Sequence, residues 1–258
     1  MSMPLRVLIL GGTTEASALA RLLADDPRFA ATLSLAGRTA APSRQPLPTR
    51  IGGFGGADGL ARFLRDERIE LLIDATHPYA AQISANAVAA SHAAAVPLAS
   101  LLRPAWSIQP GDQWQTARTA REAAETLGPI PQRVFLSLGR QELHAFVAAP
   151  QHHYLARVID PPDTAALPPD LRLLQARGPF DRDAEVRLLC DERIDILVSK
   201  NAGGAATYAK IEAARELGLP VMMIARPDKP AGDVVADAEH ALAWLESHLH
   251  APRSRRGV

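Results

Sequence analysis

The chain has 258 residues, 47% of them hydrophobic and 22% charged, enough to bury a substantial core in one large or two smaller domains. Its 28 basic residues balance 28 acidic ones, which excludes a global field for nucleic acid or an anionic membrane and leaves any anion site to local groups. No run reaches the ~18 consecutive apolar residues of a membrane span, the apolar start is too short for a signal peptide, the single Cys190 excludes an internal disulfide framework, and the eight histidines fall in no metal-ligand spacing. A cytoplasmic protein without a metal is expected.

In chain order, the first apolar run of strand length covers 6–10 and ends in Gly11-Gly12, followed by a helical pattern with small residues at Ala16 and Ala18. The strand 31–36 comes next and ends in Gly37-Arg38-Thr39, then 49–52 opens the glycine-rich run IGGFGGADGL. Strand 70–74 leads into Thr76-His77-Pro78, and 98–102 leads into Arg103-Pro104. A second series follows at 133–138, 154–159, 171–175, 194–199 and 221–225. Strand-length runs alternating with Ala/Leu/Arg/Glu stretches of helical period predict βαβ units.

The two series resemble each other. Arg6-Val7 recurs as Arg133-Val134, Leu10-Gly11 as Leu138-Gly139, DERIE at 66–70 as DERID at 191–195, and Arg103-Pro104 as Arg226-Pro227, in order and at nearly constant spacing. The expectation is an α/β protein of two Rossmann-like domains with mainly parallel sheets and a cleft between them, residues 1–108 binding a nucleotide and 109–258 forming the substrate side. The joint is expected at 104–119, where RPAWSIQPGDQW supplies Pro, Gly and Trp, and the tail RSRRGV is expected to be disordered.

The turn after the first strand has the physics of an anion seat, since adjacent glycines let the backbone approach a phosphate and the helix N-terminus offers N–H groups and a positive dipole end. It matches neither G-x-G-x-x-G nor the P-loop. Thr13 and Thr14 add hydroxyls, and the competing reading is a tight turn with Thr as helix N-cap. An arginine after the second strand suits a 2′-phosphate, where an acid would suit a ribose hydroxyl, so Arg38 favours NADP over NAD; a solvated loop arginine is the alternative. Gly53, Phe54 and Gly55, with Thr76 and His77, lie at strand ends of the same edge and are expected to border the ribose and nicotinamide. His77 reads equally well as a turn histidine capping a helix from Tyr79.

Taken together, GGTTEASALA, the Arg38 position, IGGFGGADGL, DATHPYAAQISANA, LLRPAW, GPF at 178–180 and VSKNAGGAATYAKIEAARELGLPVMMIARP resemble the precorrin-6A reductases of cobalamin biosynthesis, over nearly the whole chain. The resemblance implies NADPH as cofactor, a tetrapyrrole substrate, and reduction of one double bond of precorrin-6A to give its dihydro product, precorrin-6B. It implies hand-over to neighbouring pathway enzymes, with no nucleic acid or membrane partner. A related enzyme of the anaerobic branch acts on the cobalt-containing analogue, and Arg38 tilts the reading towards the NADPH-using aerobic form. Cofactor contacts are expected from Gly11, Gly12, Thr13, Thr14, Glu15, Arg38, Gly53, Phe54, Gly55, Thr76 and His77.

A substrate bearing many carboxylates calls for local cations and backbone N–H groups. Arg103, Arg140, Arg157, Arg177, Lys200 and Arg226 stand near predicted strand ends, and SKNAGGAATYAK repeats the strand-glycine-helix logic of the opening turn, with Lys200, Asn201, Gly203 and Gly204 as its carboxylate-holding part. Reduction of a conjugated C=C also needs a proton; Lys200, His77, Tyr79 and Tyr208 are the candidates. Tyr208 and Lys210 are two apart, so the Tyr-x-x-x-Lys pair of short-chain dehydrogenases is missing. Two rival readings are an NADP-sensing or tetrapyrrole-binding protein without turnover, and a lyase or chelatase, for which the scattered histidines are a poor match.

Overall fold

A computed structural model describes residues 3–37, 44–162, 166–229 and 232–249. Arg38 and the tail RSRRGV lie outside the described residues. No helix among the described residues is long and apolar enough to cross a membrane.

The chain divides into two compact units, Met1–Arg103 with Asp228–Val258, and Pro104–Pro227. The first holds β1 (Leu5–Leu10), α1 (Thr14–Leu23), β2 (Phe29–Leu35), β3 (Thr49–Ile51), α2 (Gly56–Asp66), β4 (Leu71–Asp74), α3 (Ala81–Ala94) and β5 (Leu98–Leu101). The second holds β6 (Gln113–Ala117), α4 (Ala120–Thr126), β7 (Arg133–Ser137), a 3-10 helix (Arg140–Ala148), β8 (His153–Val158), β9 (Leu171–Gln175), α5 (Arg182–Asp191), β10 (Ile196–Lys200), α6 (Ala209–Glu216) and β11 (Pro220–Ile224). The chain then returns to the first unit with β12 (Asp233–Val235) and α7 (Ala238–Ser247).

Both sheets have six strands and every pairing is parallel, in the orders β12-β5-β4-β1-β2-β3 and β6-β11-β10-β7-β8-β9. These are the two Rossmann-like halves the repeat predicts, with one correction. The expected boundary at 108/109 assigned the whole C-terminal segment to the second half, whereas β12 pairs with β5 (Asp233↔Ala99 to Val235↔Leu101) and Leu102 N–H donates to Val235 O at 2.8 Å. The reason is burial: α7 puts Ala238, Ala241 and Leu245 into the core built by α1 and the β1–β2 face of the first sheet. Each sheet thus takes its sixth strand from across the repeat, and the two Arg-Pro pairs, Arg103-Pro104 and Arg226-Pro227, mark where the chain changes unit. The expected joint at 104–119 also contains β6, a polar edge strand that no apolar run announces.

The core of the first unit lies on both sheet faces. Val7, Ile9, Leu33 and Ile73 pack against α1 and α7, while Leu8, Leu10 and Leu72 pack against α2 and α3, so the nearly continuous apolar runs of β1 and β4 are what a doubly covered parallel sheet requires. Each such leucine or isoleucine, fully buried, contributes about 1.5–3 kcal/mol. In the second unit Phe135, Leu197, Ile211, Val221 and Met223 form the corresponding layer.

Candidate active site

In each sheet the strand order reverses beside the first strand of the repeat. β1 is flanked by β2 on one side and β4 on the other, and β7 by β8 and β10. Ligands of open α/β sheets bind outside the carboxyl ends of the strands at that switch point. Gly11–Thr14 and Asp74–His77 flank it in the first unit; Gly139 and Lys200 flank it in the second.

In the first unit Gly11 N–H donates to Ser34 O at 2.9 Å, and a Cβ on Gly11 would lie 2.6 Å from Leu33 Cδ1, so the chain passes tightly over β2. Gly12 follows at φ +121°, a conformation glycine alone adopts readily. Thr13 is the N-cap of α1: its Oγ1 accepts from Ala16 N–H at 3.1 Å and donates to Ala75 O at 2.8 Å. The N-cap reading of the sequence is therefore realised, and the same bonds tie the glycine turn to the end of β4. Thr14 donates to Glu15, whose carboxylate pairs with Arg103 at 2.5 Å. An acid in the first turn of a helix competes with any anion seated there; Arg103 neutralises it, and its guanidinium is engaged within the first unit.

The run after β3 is shaped by Arg50, which sequence reasoning missed. Its guanidinium donates to Ser34 Oγ, Gly52 O and Gly53 O, and lies 3.9 Å from the centre of the Phe54 ring, which meets Phe63 edge-on. Burial lowers the Arg50 pKa from its ordinary value. Gly12, Gly52, Gly53, Gly55 and Gly56 all have their Cα faces open, with nothing within 4 Å of where a Cβ would be.

At the end of β4, Asp74 is 1% exposed and takes four donors: Thr76 N–H, Thr76 Oγ1, Ser84 Oγ and Lys229 Nζ. Thr76 is thus committed to Asp74 through its hydroxyl. His77 Nδ1 accepts from Tyr79 N–H at 3.3 Å and its carbonyl from Ala80 N–H at 2.8 Å. α3 begins at Ala81, two residues beyond the expected start, so His77 closes the turn ahead of the helix and its ring sits 5.7 Å from that of Tyr79.

In the second unit the loop after β10 is gripped through its carbonyls. Arg226 donates to Asn201 O at 2.8 Å, Ala202 O at 2.9 Å and Pro104 O at 3.1 Å; Trp106 Nε1 donates to Gly204 O, Phe180 N–H to Ala206 O, and Lys210 Nζ to Thr207 O. The Asn201 side chain bonds both the N–H and the carbonyl of Trp106. Because a peptide unit is planar and trans, each captured carbonyl turns the following N–H the opposite way, which directs the amides of Gly203, Ala205 and Thr207 away from these clamps. Gly203 and Gly204 reach this path at φ +69° and +74°. Arg226 acts on the loop backbone, and Arg140 donates to Pro161 O at 3.1 Å.

Arg157 is a different case from the other expected cations. It is 8% exposed on β8, pairs with Glu185 through two hydrogen bonds, and lies 4.0 Å from the Phe180 ring centre and 4.9 Å from that of Phe135. Its place is structural, holding the Gly178–Phe180 segment to the sheet. Tyr208 donates no capping bond to α6; its hydroxyl accepts from Arg215. Arg177 follows β9. Lys200 ends β10 and its ammonium contacts the carboxylate of Glu142 from the 3-10 helix, a partner with no sequence signal beyond its position three residues after Gly139.

A family model described as precorrin-6x reductase CbiJ/CobK matches residues 6–246. The chain belongs to this reductase family. Among curated members it is 52% identical over 248 residues to the precorrin-6A reductase of Rhodobacter capsulatus, covering 96% of this chain and 98% of that one. It is 44% identical to the precorrin-6A reductase of Mycobacterium tuberculosis, covering 93% and 97%, and 30% identical to the cobalt-precorrin-6A reductase of Salmonella typhimurium, covering 93% and 96%. A solved structure of CobK precorrin-6A reductase superimposes with a TM-score of 0.91 at 52% identity, over 96% of this chain and 99% of that one.

Proposed function

We propose that this precorrin-6x reductase family member reduces one C=C bond of precorrin-6A with NADPH, giving the dihydro product precorrin-6B. The observation that carries the reading is the gap in similarity: near full-length identity of 44–52% to precorrin-6A reductases, against 30% for a cobalt-precorrin-6A reductase.

The first unit fits a dinucleotide. Open glycine faces at Gly12, Gly52, Gly53 and Gly55 permit close backbone approach, and the start of α1 offers N–H groups. Gly11, Gly12, Thr13 and Thr14 would hold the pyrophosphate, with Arg38, next along the chain from Gly37, reading the 2′-phosphate. Phe54, Thr76 and His77 would border the remainder, Thr76 positioned by Asp74. NADPH, when bound, supplies a hydride. The protein's part is to orient the acceptor carbon, exclude water and provide a proton at the neighbouring carbon.

On the substrate side, Lys200 with the N–H groups of Gly203 and Ala205 would engage the macrocycle's carboxylates and reacting edge. Asn201 and Arg226 serve by fixing the loop, and Arg103 by neutralising Glu15. Lys200 is the proton donor favoured here, since its ammonium is held at the switch point, whereas the His77 ring is engaged through Nδ1 by the backbone N–H of Tyr79 in its own turn.

The test is an anaerobic incubation with precorrin-6A and NADPH, following cofactor absorbance and product mass, with NADH and the cobalt-containing analogue in parallel. Loss of NADPH with a two-hydrogen mass gain is expected, faster than with NADH. Turnover of the cobalt analogue alone would move the chain to the anaerobic branch, and tight cofactor binding without oxidation of either would make it a sensor.

A further inference from the structure

We propose that Glu142 is a positioning residue that fixes the ammonium of Lys200 at the switch point of the second sheet, an inference that rests on the reading of Lys200 as a substrate-contacting group. β7 and β10 are neighbours in register, Leu136 beside Val198 and Ser137 beside Ser199, so the chain leaving β7 at Gly139 and the side chain of Lys200 emerge at the same edge. The 3-10 helix that starts at Arg140 brings Glu142 back over that edge, with Glu142 N–H donating to Gly139 O at 3.0 Å, and its carboxylate meets Lys200.

Gly139 leaves room for this and for nothing more. A Cβ there would lie 2.7 Å from Glu142 Oε2 and 3.8 Å from Lys200 Nζ. At the matching position of the first unit a Cβ on Gly11 would meet the leucine side chains Leu33 and Leu35. The same turn of the repeat therefore packs apolar atoms in one half and a carboxylate–ammonium pair in the other. An aliphatic stem as long as that of lysine has many rotamers, and confining its tip costs conformational entropy on each encounter unless the protein has already done so. Glu142 does so before substrate arrives. Other cations on the surrounding elements have partners elsewhere: Arg140 binds Pro161 O, and Arg226 binds the carbonyls of Asn201, Ala202 and Pro104.

A double-mutant cycle of Glu142→Ala and Lys200→Ala, read as kcat, KM and NADPH Kd, tests the proposal. Glu142→Ala is expected to lower kcat roughly ten- to a hundredfold, as a misplaced reacting group does, with NADPH Kd unchanged. In the Lys200→Ala background the same substitution is expected to cost nothing further. Gly139→Ala, whose methyl group displaces the carboxylate without removing it, is expected to lower kcat in the wild type and to be silent beside Lys200→Ala. Losses that multiply in the double variant overturn the positioning role and leave Lys200 in the site. Unchanged kinetics in Lys200→Ala overturn the reading of Lys200 itself. Should Glu142→Ala fold poorly, the Gly139→Ala pair decides alone.

Discussion

Lys229 and Asp74, 155 residues apart in the chain, meet in a 3.1 Å ion pair in which the side chains are 7% and 1% exposed. Lys229 belongs to the segment that carries the chain back into the first unit, and Asp74 stands at the end of β4 beside Thr76. Removing one member of a buried pair leaves an uncompensated charge, typically costing about 3–5 kcal/mol. Lys229→Met is expected at the lower end of that range, because Thr76 and Ser84 still donate to Asp74. Adding Asp74→Asn should recover part of the loss. Urea unfolding of the two variants checks this, and a Lys229→Met midpoint equal to the wild type would refute it.

Arg38→Ala is expected to weaken NADPH by roughly ten- to a hundredfold, the worth of a charge-assisted hydrogen bond to phosphate. NADH, which lacks the 2′-phosphate, should bind as before. Titration of both cofactors by fluorescence decides the matter; equal losses would remove Arg38 from the phosphate.

Gly203→Ala should disable the substrate loop while leaving the nucleotide half intact. The new Cβ would lie 2.1 Å from Pro104 O and 2.4 Å from an Arg226 nitrogen, at a φ of +69°. Backbone strain of this kind costs about 1–3 kcal/mol, and relief would break the Arg226 clamp. The expected result is a KM for the tetrapyrrole raised at least tenfold, NADPH Kd unchanged, and a lower melting temperature.

Lys210 imposes a pH dependence on stability. It is 4% exposed, and burial, with Arg157 nearby, pulls its pKa from 10.5 down to about 7. Between those values the unfolded chain holds a proton that the folded protein has released, so stability from this group rises with pH across the window from 7 to 10.5. Below 7 both states are protonated and the cost of the buried charge is fully present. From pH 7 to 9 the gain is on the order of 2 kcal/mol. Lys210→Met should abolish that slope, measured by unfolding at several pH values; a slope shared by wild type and variant would assign it to other groups.

Much of the fold was readable because parallel sheets covered on both faces write themselves as apolar runs, as β1, β4, β7, β10 and β11 do. β6 and β12 were not readable. Both are edge strands, one polar and one of three residues, and what selects them is pairing with a partner far away in the chain. The glycine turns of both halves were visible for the same reason that they work, since glycine adopts the positive φ of Gly12, Gly203 and Gly204 more readily than any other residue. Glu142, Trp106, Arg50 and the Lys229–Asp74 pair were not. Each acts through a contact with an element or loop brought near by the tertiary fold, and no local spacing encodes that. The Arg-Pro repeat was visible, but its meaning as the place where the chain changes unit emerged only from the pairing of β12 with β5.

That exchange of strands also sets an order of events during synthesis. The first sheet to be translated cannot be finished when its own five strands have emerged, because β12 and α7 are among the last segments made. Until then β5 presents a bare edge and α1 an uncovered apolar face, the state in which nascent chains are most open to aggregation. The whole second unit lies between β5 and β12 in the chain, so the first sheet is completed only after the second unit has been translated. A ribosome that stops short of Asp233 releases a chain lacking one strand of the first sheet, whatever the state of the rest.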